Sequence, residues 1–346
     1  MPALGEVMRK LNPWYHEGRL SRSLPRYEPP APPPISTAAA SVLIVVYALV
    51  YFLPFYASPT TRPSPTLSRD APSVIRARIR SVSISCLLCC AATLAVLTRG
   101  GAHVSPADVL HLMGLWPPAL ADTARAVLLT ALLFAGPLFA YFVVDAGWRE
   151  WLRLEPVLAL WGDWMTWRNI VAGPVTEEVL FRAASVPLML VARTPVRQTI
   201  FLSPVLFGLA HVHHFYEFRL TQPQVSVAAA VLRSVFQLGF TTLFGAYATF
   251  LFVRTGSLPA VCAVHAFCNC MGLPRLWGRV QPQVPDDDPA PLRRRDEQRP
   301  STGAVWLWTA AYYVLLVAGA TAWWKNIWAL TESPNALVSD LAFTAT

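Results

Sequence analysis

Two adjacent carboxylates, Glu177 and Glu178, sit inside an apolar run that extends from Ile170 to Val191, and Arg182 follows one turn later. One carboxylate at the centre of a membrane helix costs about 2.5–3.5 kcal/mol on insertion scales, so a pair kept there calls for a reason. Glu178 and Arg182 are four apart, which puts them on one helix face as an ion pair. Glu177 projects about 100° away from that face and has no partner within its own segment. A carboxylate left free in a low-dielectric setting suits general acid–base work. Gly173-Pro174 and Thr176 resemble a helix start, which would place both acids in early turns where the helix dipole tolerates negative charge. The bland alternative is a pair of glutamates that hold helices in register.

Other groups of the same kind occur further along. His211 closes the run Phe207-Gly208-Leu209-Ala210-His211, and His265 and Asn269 lie four apart in a second apolar stretch. Glu177 with His211 could hold and deprotonate a water, while His265 and Asn269 could donate hydrogen bonds to an oxyanion. That combination is acyl-transfer hydrolysis without a covalent intermediate. A zinc site is the main rival, given His211, His213, His214 and His265. The helical His-Glu-x-x-His signature is absent, however, and His16-Glu17 lacks the second histidine. His213 and His214 read as loop or interface residues. Cys268, three residues after His265, is a third candidate as a thiol nucleophile. Like Cys86, Cys89 and Cys90, it reads better as a small packing group between helices.

These residues need a scaffold, and composition names its class. With 54% hydrophobic and only 14% charged residues in 346, the chain is no ordinary soluble domain, whose charged fraction is about a quarter. The expectation is an all-α polytopic membrane protein: a bundle of about eight transmembrane helices with interfacial amphipathic helices. The net charge of +8 belongs to loops at an anionic membrane surface, not to nucleic-acid binding. Residues 1–35 form a proline-rich tail, 36–330 one membrane-embedded domain with its motifs within about 170–273, 274–303 a charged loop and 331–346 a C-terminal tail. Spans are expected at about 36–57, 81–97, 124–145 (kinked at Gly136-Pro137), 170–191, from 199 onward, 238–253, 257–272 and 304–322. The tryptophan- and arginine-rich stretch Trp148–Trp167 and the stretch from 225 to about Gln237 read as interfacial helices. Arginines concentrate in the odd-numbered loops, which the positive-inside rule places in the cytosol.

In this topology Glu177 lies roughly 10 Å below the cytosolic face, His211 near a cytosolic exit, and His265 and Asn269 roughly 5–12 Å short of one. Polar groups from three spans therefore share one depth, which favours chemistry over a scatter of structural polar residues.

Glu177-Glu178-Val179-Leu180-Phe181-Arg182, Phe207–His211 and His265–Asn269 match, in order, the Glu-Glu-x-x-x-Arg, Phe-x-x-x-His and His-x-x-x-Asn/Asp motifs of the CAAX protease and bacteriocin-processing superfamily of intramembrane proteases. Phe207–His214 and Phe244-Gly245-Ala246-Tyr247 resemble its type II CAAX prenyl endopeptidase branch. The resemblance implies a catalytic base at Glu177, its water-activating partner at His211, an oxyanion hole at His265 and Asn269, and supporting roles for Glu178 and Arg182. It also implies no metal or other cofactor, and removal of the last three residues from prenylated CAAX proteins such as Ras-like GTPases at the cytosolic side of the endoplasmic reticulum membrane. A non-catalytic membrane scaffold or a proton-coupled transporter built on the Glu/Arg network is the alternative.

Overall fold

The computed structural model describes residues 33–99, 105–210, 213–282 and 300–343. Residues 1–32 of the proline-rich tail, His211 and most of the arginine-rich loop lie outside them. Among the described residues all regular structure is helical. Thr37–Ala57, Pro72–Thr98, Val227–Thr255 and Thr302–Leu330 are each long and apolar enough to cross a membrane. Leu120–Leu133 and Ala135–Val144 are together apolar enough to form a fifth span and meet at a bend of 83°, the geometry of a broken span or a re-entrant loop. The bend falls at Phe134, just before the expected Gly136-Pro137: Pro137 has no N–H to offer the carbonyl one turn earlier, so the helix breaks there.

Two expected boundaries are corrected. The second span starts at Pro72, not near Ser81, because proline at the first helical position gives up an N–H that would be unpaired anyway. The stretch read as an interfacial helix followed by a span is one continuous helix, Val227–Thr255. Ser226 caps its start by accepting from the Ala229 N–H, and Gly256 at φ 55° ends it. No proline interrupts the hydrogen-bond ladder between them. At 29 residues it is about 43 Å long, more than the ~30 Å hydrocarbon thickness.

The elements that carry the polar motifs are shorter or interrupted. Asp163 caps a helical rod by accepting from the Met165 and Thr166 N–H groups. The rod continues through Trp164–Trp167, a wide-turn segment Arg168–Ala172, the α-helical Gly173–Glu178, a second wide-turn segment Val179–Ala184 and Val186–Val191. The helix therefore does not start at Gly173–Thr176, as their residue types suggested. The Thr176 hydroxyl donates back to the Ala172 carbonyl at 2.7 Å instead of capping. Val196–Ala210 and His213–Thr221 follow, and Leu258–Met271 has only 14 residues.

The acidic rod lies between two apolar clusters. Leu180, Phe181, Ala184, Leu188 and Met189 pack with Ile44, Tyr47 and Cys86 on one side. Ala183 and Val186 pack with Leu129, Leu251, Phe252, Val261 and Val264 on the other. Thr302–Leu330 lies against the bent span so closely that a Cβ on Gly319 would come within 2.1 Å of the Leu132 carbonyl oxygen. Small residues allow this backbone approach between membrane helices. Gly319→Val should therefore destabilise the fold by about 1–3 kcal/mol or more through overpacking. Gly239→Ala, where a Cβ meets nothing within 4 Å, should be neutral or slightly stabilising. Thermal unfolding of the two variants in detergent checks this pair.

Candidate active site

Pro174 shapes the site through an atom it lacks. In the preceding wide turn the Gly173 N–H reaches back to the Arg168 carbonyl. The next bond of that pattern would run from residue 174 to the Asn169 carbonyl, and proline cannot make it. Asn269 Nδ2 fills the gap, donating to the Asn169 carbonyl at 2.8 Å. The second site helix, Leu258–Met271, is thus tied to the first at the level of its last turn.

One turn deeper the two helices meet through charge. Glu178 is fully buried, and its Oε1 accepts from His265 Nδ1 at 2.7 Å and from Arg182 Nη1 at 3.1 Å. Arg182, 1% exposed, also places Nη1 3.0 Å from Glu178 Oε2 and donates from Nη2 to the Gly245 carbonyl at 3.0 Å. Gly245 packs against Pro204, with no room for a Cβ. The ion pair expected from the i,i+4 spacing is present, and it joins the acidic rod to Val227–Thr255 and Leu258–Met271. An ionised carboxylate only accepts, so His265 Nδ1 carries the proton toward Glu178. That leaves Nε2 for a second partner: an acceptor on a neutral ring, a donor on a doubly protonated one.

Glu177 takes the other direction, as its position 100° round the helix implies. It is half-buried and lines a cavity of about 200 Å3 together with Asn269, Thr176, Tyr51, Phe181 and His214. The structure thus brings Glu177 and Asn269 to one cavity and places His265 behind them on Glu178. His211 lies outside the described residues.

The cavity also contains groups that the residue patterns did not single out. His213 stacks on Phe52 at 5.0 Å and His214 Nδ1 lies 3.4 Å from Glu217 Oε2. Both histidines line the cavity, where a loop or interface position was expected. Arg69, Arg78 and Arg168 line it too, although they read as loop charges. The usable signals were the three-residue spacing of His214 and Glu217 and the proline that opens the second span early enough to put Arg78 on a helix. Cys268 is half-buried and packs against the apolar cluster that holds Val261 and Val264, which is the packing role read for it from the sequence. Among the described residues no three His, Cys, Asp or Glu side chains gather as a metal site.

Removing the guanidinium would leave a fully buried carboxylate without its counter-charge, at a cost of about 3–5 kcal/mol. Arg182→Ala should therefore lower the unfolding temperature sharply. Arg182→Lys should restore little of it, because one ammonium cannot serve Glu178 and the Gly245 carbonyl in the same fork geometry. Differential scanning fluorimetry in detergent reads both.

Comparison with known proteins gives the family. The type II CAAX prenyl endopeptidase, Rce1-like family matches residues 159–271, which span the acidic rod and Leu258–Met271. The chain is 34% identical over 291 residues to the probable CAAX prenyl protease 2 of Schizosaccharomyces pombe, covering 84% of this chain and 92% of that one. It is 33% identical over 263 residues to CAAX prenyl protease 2 of Arabidopsis thaliana (70% and 82% covered) and 36% identical over 226 residues to that of Homo sapiens (62% and 66% covered). No solved structure matches. On this similarity, over most of its length and through the helices that build the site, the chain belongs to the Rce1-like family of type II CAAX prenyl endopeptidases.

Proposed function

We propose that this multi-pass membrane protease removes the last three residues from prenylated CAAX proteins, with Glu177 activating the attacking water. The observation that carries this reading is the division of labour between two adjacent acids. Glu178 is committed to Arg182 and His265, whereas Glu177 faces the cavity that Asn269 also lines. Glu177, assisted by His211, takes a proton from water as the oxygen bonds to the scissile carbonyl carbon. Asn269 has a second amide hydrogen beyond the one given to Asn169, and His265 Nε2 can donate when its ring is doubly protonated; both receive the developing oxyanion. Collapse of the tetrahedral intermediate breaks the C–N bond, and the proton held by Glu177 passes to the leaving amine.

The names of the relatives support the substrate class. A prenyl chain brings a protein C-terminus to the bilayer surface, and Ras-like GTPases are substrates of that kind. Beside the last turn of Leu258–Met271 lies a largely apolar cavity of about 590 Å3, lined by Phe267, Met271, Leu138 and Phe142, with room for an isoprenoid. The concentration of arginines in the loops at the site's end supports an active site open to the cytosol, in the endoplasmic reticulum membrane. Glu177→Gln keeps shape and removes the base, so it should slow tripeptide release from a farnesylated peptide by about 10²–10⁴-fold with an unchanged unfolding temperature. Asn269→Ala should lower kcat by about 10²-fold or more. Wild-type turnover by folded Glu177→Gln protein would remove Glu177 from the mechanism.

A further inference from the structure

The cavity that holds Glu177 has a second, basic cluster that hydrolysis of the peptide bond does not employ. Arg78 is fixed on three sides: Nε donates to the Thr61 carbonyl at 2.9 Å, Nη2 meets Glu217 Oε1 at 2.8 Å, and its guanidinium lies 5.1 Å from the centre of the Phe55 ring. Arg69 Nη1 reaches Glu217 Oε2 at 3.4 Å. Arg168 Nη1 meets Asp70 Oδ1 at 2.7 Å and the Arg69 carbonyl at 3.5 Å, and Asp70 also lies 3.9 Å from Arg69 Nε. All three arginines line the cavity. Three guanidiniums thus share two carboxylates, which leaves one positive charge in excess. Glu217, 4% exposed, stays ionised within the cluster: burial pushes its carboxyl up, but the His214 hydrogen bond and the Arg78 and Arg69 charges together hold it well below the usual carboxylate range.

An endopeptidase that cuts three residues from a chain end has a substrate with a fixed charge: the α-carboxylate of the last residue. Three extended residues reach roughly 10 Å, so a carboxylate bound in the cavity that contains the base would fix where the scissile bond falls. Arg69, Arg78 and Arg168 line the same cavity as Glu177 but are bonded to Glu217 and Asp70, which makes them a separate cluster within it. His214 lines that cavity as well, with Nδ1 3.4 Å from Glu217 Oε2. A planar guanidinium pair is well suited to bind a carboxylate bidentately. Building on the reading of Glu177 as the base of a CAAX endopeptidase, we propose that Arg69 and Arg78, backed by Arg168, receive the substrate's terminal carboxylate and so set the released fragment at three residues.

The test uses purified full-length protein in detergent and two farnesylated peptides that differ only at the end, one a free acid and the other a carboxamide. The wild type should prefer the acid by about 10- to 100-fold in kcat/KM, with the difference carried by KM, as expected for loss of a charge-assisted hydrogen bond. Arg69→Gln, at a half-exposed position, and Arg78→Gln should each shrink that ratio several-fold, and a peptide extended by one residue should be a poor substrate for the wild type only. Equal cleavage of acid and amide by the wild type would overturn the proposal, as would variants that slow both peptides alike with the ratio preserved. A cluster that serves a lipid phosphate would give that equal cleavage, with Arg69→Gln altering only the response to added anionic lipid. The wild-type comparison does not depend on the folding of any variant. Failure of the wild type to release a tripeptide from the acid would instead overturn the endopeptidase reading itself.

Discussion

Glu178 and Arg182 are 0% and 1% exposed, and taking two such charges out of water costs several kcal/mol per ion even after relaxation. Their mutual attraction repays this because each is also held elsewhere: Glu178 by His265, and Arg182 by the Gly245 carbonyl. The pair therefore specifies a meeting of three helices and does not simply add stability. A helix displaced by one turn would strand a charge in an apolar core. Glu177 inherits its freedom from this arrangement. With its neighbour committed to Arg182 and His265, it is left to face the cavity.

The same economy of partners explains why the site elements are not regular helices. The regular spans, such as Val227–Thr255 and Thr302–Leu330, run as single uninterrupted α-helices. The acidic rod has two wide-turn segments and two prolines, Pro174 and Pro187, which release carbonyls to other chain segments. Irregular backbone is tolerated at membrane depth where protein covers it, and the two apolar clusters on either side of the rod provide that cover. The Asn269–Asn169 bond is a direct product: an amide from one helix replaces the N–H missing from Pro174.

How much of this was legible beforehand depended on whether a contact was local. The Glu178–Arg182 pair followed from i,i+4 spacing, and the bend near Pro137 followed from the missing N–H. Membrane class and an all-helical fold followed from composition. Thr176 misled because a threonine hydroxyl serves equally as a cap or as a bond to the carbonyl four residues back, and only packing decides between them. The split assigned within Val227–Thr255 came from its length, which a helix can carry past the hydrocarbon region. His265 had two open choices of acid, and spacing could not tell which of Glu177 and Glu178 it would meet. Arg69 and Arg78 joined the cavity through contacts with Glu217, 148 and 139 residues away, which no window of sequence displays.

The length of Leu258–Met271 has a further consequence for the site. Its 14 residues rise about 21 Å, roughly 9 Å less than a typical hydrocarbon layer. At its first turn protein makes up part of the shortfall, because the Leu258 N–H is received by the Gly114 carbonyl at 2.8 Å and Ser257 Oγ donates to the Pro118 carbonyl. At its last turn the remainder is open cavity beside Asn269. The short helix therefore ends at the cavity and does not carry the chain on through the hydrocarbon layer as the long spans do.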